Sequence, residues 1–252
     1  VTGGFSDIDN LIGGTNTDAF TLNGGTLSGS IAGGGGAGIN TLTGDNVANT
    51  WGVTGNDSGT LTGLTAGYSD IDNLVGNGNT DVFNISNGIV VTGSIDGAGA
   101  SDTLNLSAYA TGRSVTITGL GTTDGFAGTE GSVTGGFDNI NILSLPAGGG
   151  DSLTGPNAAN VWTVASVDGG TLVSGGRTFT FSGANSLVGN INTDDFTLST
   201  GSLTGTIDGL GGNDSLTHTD GTNTWAVNTN GGGTVTGTAG FSILRILMAA
   251  AA

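Results

Sequence analysis

The sequence predicts an all-β protein built as a parallel β-solenoid. Three observations predict it: an internal repeat, an apolar anchor about every ten residues with Gly, Asn and Asp between anchors, and no sustained helical spacing. The repeat is plainest in Phe5-Ser-Asp-Ile8-Asp-Asn-Leu11, which recurs as Tyr68-Ser-Asp-Ile71-Asp-Asn-Leu74, as Phe137-Asp-Asn-Ile140-Asn-Ile-Leu143 and, more loosely, from Phe181 to Leu187, with a fifth start at Phe241. Asn16-Thr17-Asp18-Ala-Phe20 returns as Asn79-Thr80-Asp81-Val-Phe83 and Asn192-Thr193-Asp194-Asp-Phe196. Trp51-Gly-Val53, Trp162-Thr-Val164 and Trp225-Ala-Val227 put three Trp at one position.

Starts near 5, 68, 137, 181 and 241 give units of 63, 69, 44 and 60 residues. Phe5 to Leu42 is 37 residues, whereas Phe137 to Leu153 is 16, so the third unit lacks 21 while both flanks stay in register. A deletion that preserves register removes a whole structural period, which predicts about 21 residues per coil, three coils per 63-residue unit and about 12 coils in all. At the interstrand spacing of roughly 4.8 Å the body is then on the order of 55 Å long.

The anchors of the first unit run Ile8/Leu11, Phe20/Leu22, Leu27/Ile31, Leu42, Trp51/Val53 and Leu61. Around them the pattern alternates, as in Thr41-Leu42-Thr43, Thr60-Leu61-Thr62 and Thr116-Ile117-Thr118, with apolar side chains in and threonines out. Thr, Val, Ile and Phe suit a pleated surface, and Gly and Asn accept the positive φ of tight corners. Such short strands bury no face alone, so coils stack on a shared core, as a flattened β-roll or a three-sided β-helix; two anchors per coil favour the roll. The prediction is one continuous solenoid over residues 1–247 and an Ala-rich tail, 248–252, foreign in composition to the rest.

Composition excludes several functions. Three basic residues, Arg113, Arg177 and Arg245, stand against 20 acids, and the net charge is −17. That surface neither neutralises a phosphate backbone nor is drawn to anionic lipid, so no nucleic acid and no membrane insertion are expected, and partners should be neutral or cationic. With no Cys, neither disulfides nor thiolate metal sites hold the chain. No signal peptide and no run of 18 apolar residues is present, which reads as a mature chain or an excised piece.

These residues resemble the glycine-rich β-solenoid repeats of very large secreted bacterial surface proteins, the haemagglutinin-type adhesins and RTX proteins. The sharpest motif is the nonapeptide G-G-x-G-x-D-x-U-x, which reads here as Gly35-Gly36-Ala-Gly38-Ile-Asn40-Thr-Leu42, with Asn in place of Asp. Looser versions end in Asp102-Thr-Leu104, Asp151-Ser-Leu153 and Asp214-Ser-Leu216. The resemblance implies an extracellular or cell-surface protein. It also implies calcium at Asp102, Asp151 and Asp214, with Asp18, Asp81 and Asp194, each five residues after a glycine, as a second ligand layer. The family repeats its nonapeptide at once, whereas each unit here carries it once. The alternative reading of the same residues is that Asp and Asn shape corners by bonding the backbone of their own turns, and no cofactor is then required.

Catalysis finds little to use: one His, no Cys, no Lys and one Glu. His218, at a strand end, reads as an outward surface residue, and the chain is not expected to be an enzyme. Polysaccharide-acting β-helix enzymes resemble this architecture, and the irregular stretch Ala108 to Gly131, with Tyr109, Arg113, Asp124 and Glu130, is the candidate binding loop; a plain insertion in a turn is the other reading. Outward Thr pairs resemble the faces of ice-binding β-helices, but the column through Leu42, Leu61, Leu104, Val133, Leu153, Leu172 and Leu216 mixes Thr with other residues. The Trp residues are expected in the core rather than on sugars.

The opening Val1-Thr-Gly-Gly-Phe5 repeats Val133-Thr-Gly-Gly-Phe137, so the chain starts and stops within the array. That predicts either a window of a longer polypeptide or copies stacked end to end. The expected function is structural: a stiff rod in a secreted filament or adhesin stalk, its partners being further copies or a glycan or host surface.

Overall fold

Alternating apolar and hydroxyl residues, broken every few positions by Gly, Asn or Asp, make many short strands and no helix among the described residues. The computed structural model describes residues 6–219 and 221–242; Val1 to Phe5, Asp220, Arg245 and the Ala-rich tail lie outside them. The 26 strands form two sheets of 13, here called A and B.

The chain passes from one sheet to the other throughout. β1 (Leu11–Ile12), β2 (Ala19–Thr21), β3 (Ile31–Ala32) and β4 (Thr41–Thr43) alternate A, B, A, B, and β5 (Thr50–Gly55), β6 (Ser58–Leu61) and β7 (Tyr68–Ser69) then fold back and forth within A. β8 (Asn73–Asn77), β9 (Val82–Ile85), β10 (Ile95–Ala98) and β11 (Thr103–Asn105) alternate again, and β12 (Ser114–Leu120), β13 (Phe126–Glu130) and β14 (Val133–Ile140) form a second trio, in B. After β15 (Ile142–Ser144) and β16 (Ser152–Thr154), a third trio lies in A: β17 (Asn160–Ser166), β18 (Gly169–Ser174) and β19 (Arg177–Ser182). β20 (Ser186–Asn190), β21 (Asp194–Leu198), β22 (Thr206–Leu210) and β23 (Ser215–His218) alternate, and β24 (Trp225–Thr229), β25 (Gly232–Val235) and β26 (Gly240–Ser242) make the fourth trio, in B.

Pairing between successive passes is parallel, and within trios it is antiparallel. Trio turns carry residues that accept positive φ: Asp57 (φ 50) after β5, Asp168 (φ 52) after β17, and Gly175-Gly176 (φ 55 and 78) between β18 and β19, the pair a two-residue hairpin requires. A simple round trip between sheets takes 20 to 22 residues, as in Leu11↔Ile31, Phe20↔Leu42, Phe83↔Leu104 and Leu187↔Ile207.

This pairing corrects the expectation of three coils per unit. Leu11 lies in A and its counterpart Leu74 in B, five crossings later, which is two and a half round trips; the remaining residues form the antiparallel trio. From Phe137 to Phe181 there are three crossings, so the third unit lacks one round trip, matching its missing 21 residues. A count of about 12 coils is not supported: each sheet's 13 strands include two trios, so the described residues make nine levels. An odd number of crossings also puts successive trios in A, B, A and B. Each trio adds two extra strands to its sheet, roughly 10 Å of height, and alternation restores the balance.

One apolar cluster runs between the sheets from Leu27 to Phe241. Its rows follow the register: Leu42, Leu74, Ile95 and Phe137 in B, and Trp51, Phe83, Leu104, Leu143 and Phe181 in A. The expected core role of Trp holds for two of the three, Trp225 being partly buried. Trp51 and Trp162 are fully buried, each stacked on the Phe paired with it, Phe83 at 5.5 Å and Phe196 at 5.6 Å. The column read through Leu42, Leu61, Leu104 and Leu153 is split between the sheets, because Leu61 and Leu104 lie in A and Leu42 and Leu153 in B.

Candidate functional site

Asp or Asn stands two residues before a recurring set of core anchors, among them Leu42, Trp51, Phe83, Leu104, Leu153, Leu187 and Phe196, at the corner where the chain enters a strand. Side chains there reach the neighbouring level. Asp18 donates its backbone N–H to Asn40 Oδ1 (3.0 Å), and Asn40 to Asp72 Oδ2 (2.7 Å). In sheet A, Asn49 donates to Asp81 Oδ1 (2.8 Å), Asp81 to Asp102 Oδ1 (2.7 Å) and Asp102 to Asn141 Oδ1 (3.1 Å). Further along, Arg113 donates to Asp151 Oδ1, Asp151 to Asn185 Oδ1 and Asp194 to Asp214 Oδ1. These ladders satisfy corner amides that the sheet hydrogen bonds do not reach.

All six residues the RTX resemblance marked for calcium belong to the ladders. Asp81, Asp102, Asp151, Asp194 and Asp214 are buried, and Asp18 is half-buried. The glycine five residues before Asp18, Asp81 and Asp194 makes room for the folded-back carboxyl: a Cβ on Gly76 would lie 2.3 Å from Asp81 Oδ2, and one on Gly189 2.5 Å from Asp194 Oδ2. Asp18 and Asp194 also bond their own turns, accepting from Gly14 and Asn190 N–H. Among the described residues no three Asp, Glu or His side chains converge on a point suited to a metal ion. Burial pushes the carboxyls of Asp81, Asp151 and Asp214 up and that of Asp102 up to about 7; the Oδ2 atoms of these four are buried without a hydrogen-bond partner.

The stretch from Ala108 to Gly131 is half strand rather than one irregular loop: it holds β12 and β13, two strands of the trio that is the counterpart of the Trp-bearing ones, with Val115 and Ile117 as core residues. Three of its four candidate residues meet. Arg113 forms an ion pair with the buried Glu130 and lies over the Tyr109 ring, 4.1 Å from its centroid. Glu130 also accepts from Ser132 N–H and Oγ–H. Asp124 stands apart, beside Arg177. Burial raises its carboxyl, against the lowering effect of that guanidinium. The sequence reading passed over Arg177, whose guanidinium donates to the carbonyls of Gly121, Thr123 and Gly125 and so holds the β12–β13 turn. Nothing in its sequence neighbourhood shows that contact, since the two segments lie more than fifty positions apart. Both described arginines are thus engaged by partners within the chain, Arg113 by Glu130 and Arg177 by the β12–β13 turn.

One face departs from that acidity. In sheet A, Thr180, Thr171, Thr163, Thr197 and Thr217 pair in sequence across β19, β18, β17, β21 and β23. They alternate with buried Leu172, Trp162 and Phe196, so the row points outward at interstrand spacing, roughly 4.8 Å. The parallel row is Thr178, Val173, Val161, Asp195 and Ser215, with one charge. His218 ends β23, half-buried.

No family model, curated protein or solved structure matches this chain. Among the described residues no helix is long and apolar enough to cross a membrane.

Proposed function

We propose that the chain is a β-solenoid whose work is mechanical: a stiff, acidic rod within an extracellular filament or an adhesin stalk of the haemagglutinin or RTX type, assembling head to tail. The observation that carries this reading is the core itself. Stacked levels share one apolar spine, and the buried polar groups serve ladders between levels rather than a pocket. The acids keep rods apart, and neither calcium nor a catalytic centre is needed. Solution scattering tests the shape. Thirteen stacked strands extend roughly 60 Å, so the pair-distance distribution should be skewed with a tail beyond that length. A compact chain of this size, with a radius of gyration of about 18 Å, would give a symmetric curve and refute the rod.

A second reading, an ice-binding face, draws on the row Thr180, Thr171, Thr163, Thr197 and Thr217. Regular methyl and hydroxyl groups on a charge-poor surface suit ordered water. Thermal hysteresis that vanishes with Thr163→Tyr would support it, and unhindered ice growth by the unmodified protein would end it.

A further inference from the structure

Inside the molecule, one junction is built twice in the same way. The first strand of a trio pairs in parallel with the next strand of its sheet: β5 with β9 and β17 with β21. Each time Trp lies over Phe (Trp51 on Phe83, Trp162 on Phe196) and the apolar residue two further on pairs likewise (Val53 with Ile85, Val164 with Leu198). All eight side chains are at most 1% exposed.

Half of this junction stands at each end of sheet B. Among the described residues β24 is its outermost strand on one side and carries Trp225-Ala-Val227, the counterpart of Trp51-Gly-Val53 and Trp162-Thr-Val164. Trp225 is held edge-on by Phe241, as Trp51 is by Tyr68 and Trp162 by Phe181. Yet it is only partly buried, no stacked ring covers it among the described residues, and Val227 is 54% exposed. Among the described residues β2 is the outermost strand on the other side and carries Phe20 and, just beyond, Leu22, the counterparts of Phe83 and Ile85. Both are only partly buried, and Phe20 lines an apolar recess of about 330 Å³ with Leu11, Leu22 and Ile31.

We infer that β24 of one copy docks in parallel on β2 of the next, Trp225 stacking on Phe20 and Val227 packing on Leu22. This rests on the head-to-tail version of the proposed function and gives it a surface, a register and a direction. The knob and the recess are different surfaces at opposite ends, so the contact is heterologous and grows filaments instead of closing a dimer. Bringing together two strongly acidic chains requires a charge-poor contact, and these four side chains carry no charge.

The test uses the full chain at moderate salt, followed by sedimentation velocity over a concentration series. The unmodified protein should form a ladder of oligomers. Phe20→Ala and Trp225→Ala should each weaken association by at least about 30-fold, as for a buried aromatic anchor, and Trp225→Phe should restore part of it. Both sites are at the sheet ends, and unchanged far-UV circular dichroism verifies folding. The decisive sample mixes the two Ala variants. The Phe20→Ala chain keeps its Trp225 knob and the Trp225→Ala chain keeps its Phe20 recess, so the mixture should form dimers and stop there. Oligomers that persist in either variant alone, or a mixture that stays monomeric, would overturn the inference. An unmodified chain that is monomeric at every concentration would also overturn it, while an elongated scattering profile from that monomer would leave the rod standing.

Discussion

Asp81 donates its backbone N–H to Oδ1 of Asp102 at 2.7 Å, while Oδ2 of Asp102 lies buried with no hydrogen-bond partner. Asn40, at the equivalent corner, differs by one group: its Nδ2 donates to the Asp70 carbonyl at 3.0 Å. The glycine at each corner locates the two groups. A Cβ on Gly33 would meet Asp70 O and Asn40 Nδ2, and a Cβ on Gly97 would meet Asn139 O at 2.4 Å and Asp102 Oδ2 at 2.5 Å. Asp102 therefore puts an oxygen beside a carbonyl where Asn40 puts a donor. Burial is the main reason its carboxyl is pushed up to about 7, with the nearby Asp81, Asp124 and Asp96 carboxylates adding to the rise.

A pH dependence follows. A carboxyl raised in the folded state holds a proton that the unfolded chain releases, so its stabilising contribution is complete below the unfolded value of 3.8 and is lost as pH rises through about 7. Asp81, Asp151 and Asp214 shift in the same direction. Relief of self-repulsion at a net charge of −17 acts likewise. Melting temperature should rise as pH falls from 8 to 5 at constant ionic strength. Thermal melts that decline over that interval contradict the assignment.

Asp102→Asn should raise stability at pH 8 by about 1 kcal/mol and flatten the pH profile. The amide keeps the Oδ1 acceptor for Asp81 and supplies a donor beside Asn139, and Asn40, Asn141 and Asn185 already hold this ladder position. Urea unfolding at pH 8 and pH 5 measures both effects, and an equal loss at the two values would count against them.

Calcium chelation should leave the melting curve unchanged, since Oδ1 of Asp81, Asp102, Asp151 and Asp214 already accepts a backbone N–H. Calcium and magnesium at equal ionic strength should stabilise alike, by screening. A rise specific to calcium would favour the RTX-type module.

Gly76→Ala should cost about 1–3 kcal/mol, because its Cβ would lie 2.3 Å from Asp81 Oδ2 and 2.5 Å from the Gly97 carbonyl, neither able to retreat far. Gly25→Ala, where nothing lies within 4 Å, should be close to neutral. The difference in urea midpoint between the two variants reads this out, and equal midpoints would show that the corner relaxes.

The repeat, the strand alternation and the core position of Trp51 and Trp162 were legible in the sequence because period-two patterning and recurrence at fixed offsets report local geometry. The corner residues were legible as residues but not as ladders. Asp81, Asp102 and Asp151 match a calcium motif and a corner motif equally well in one dimension, and only the register between levels shows which backbone N–H each carboxyl meets. The trios were hidden for a different reason. Trp51-Gly-Val53 and Thr60-Leu61-Thr62 look like any other pair of strands, and the turn residues that mark the hairpins, Asn56-Asp57 here and Gly175-Gly176 in the third trio, are of the same types as those at crossings throughout the chain. Arg177 was invisible because its partners are distant in sequence.

Removing Val75 to Ile95 should leave a cooperatively folding protein. Leu74 and Ile95 are register partners on adjacent strands of sheet B, so the excision takes out one round trip of 21 residues and returns the chain to the same sheet one level on. Sheet A closes by bringing β5 onto β11, whose Leu104 replaces Phe83 beneath Trp51. The third unit is the internal precedent, lacking 21 residues between Phe137 and Leu153 relative to the stretch from Phe5 to Leu42. Removing only residues 75–84 should fail, because half a round trip delivers every later strand to the wrong sheet and places the second trio on the same side as the first. That side would then stand four strands, roughly 19 Å, above the other, with its apolar face uncovered. Circular dichroism melts and sedimentation of the two deletions separate the outcomes; a well-folded monomer from the shorter deletion would show that sheet parity does not govern this fold.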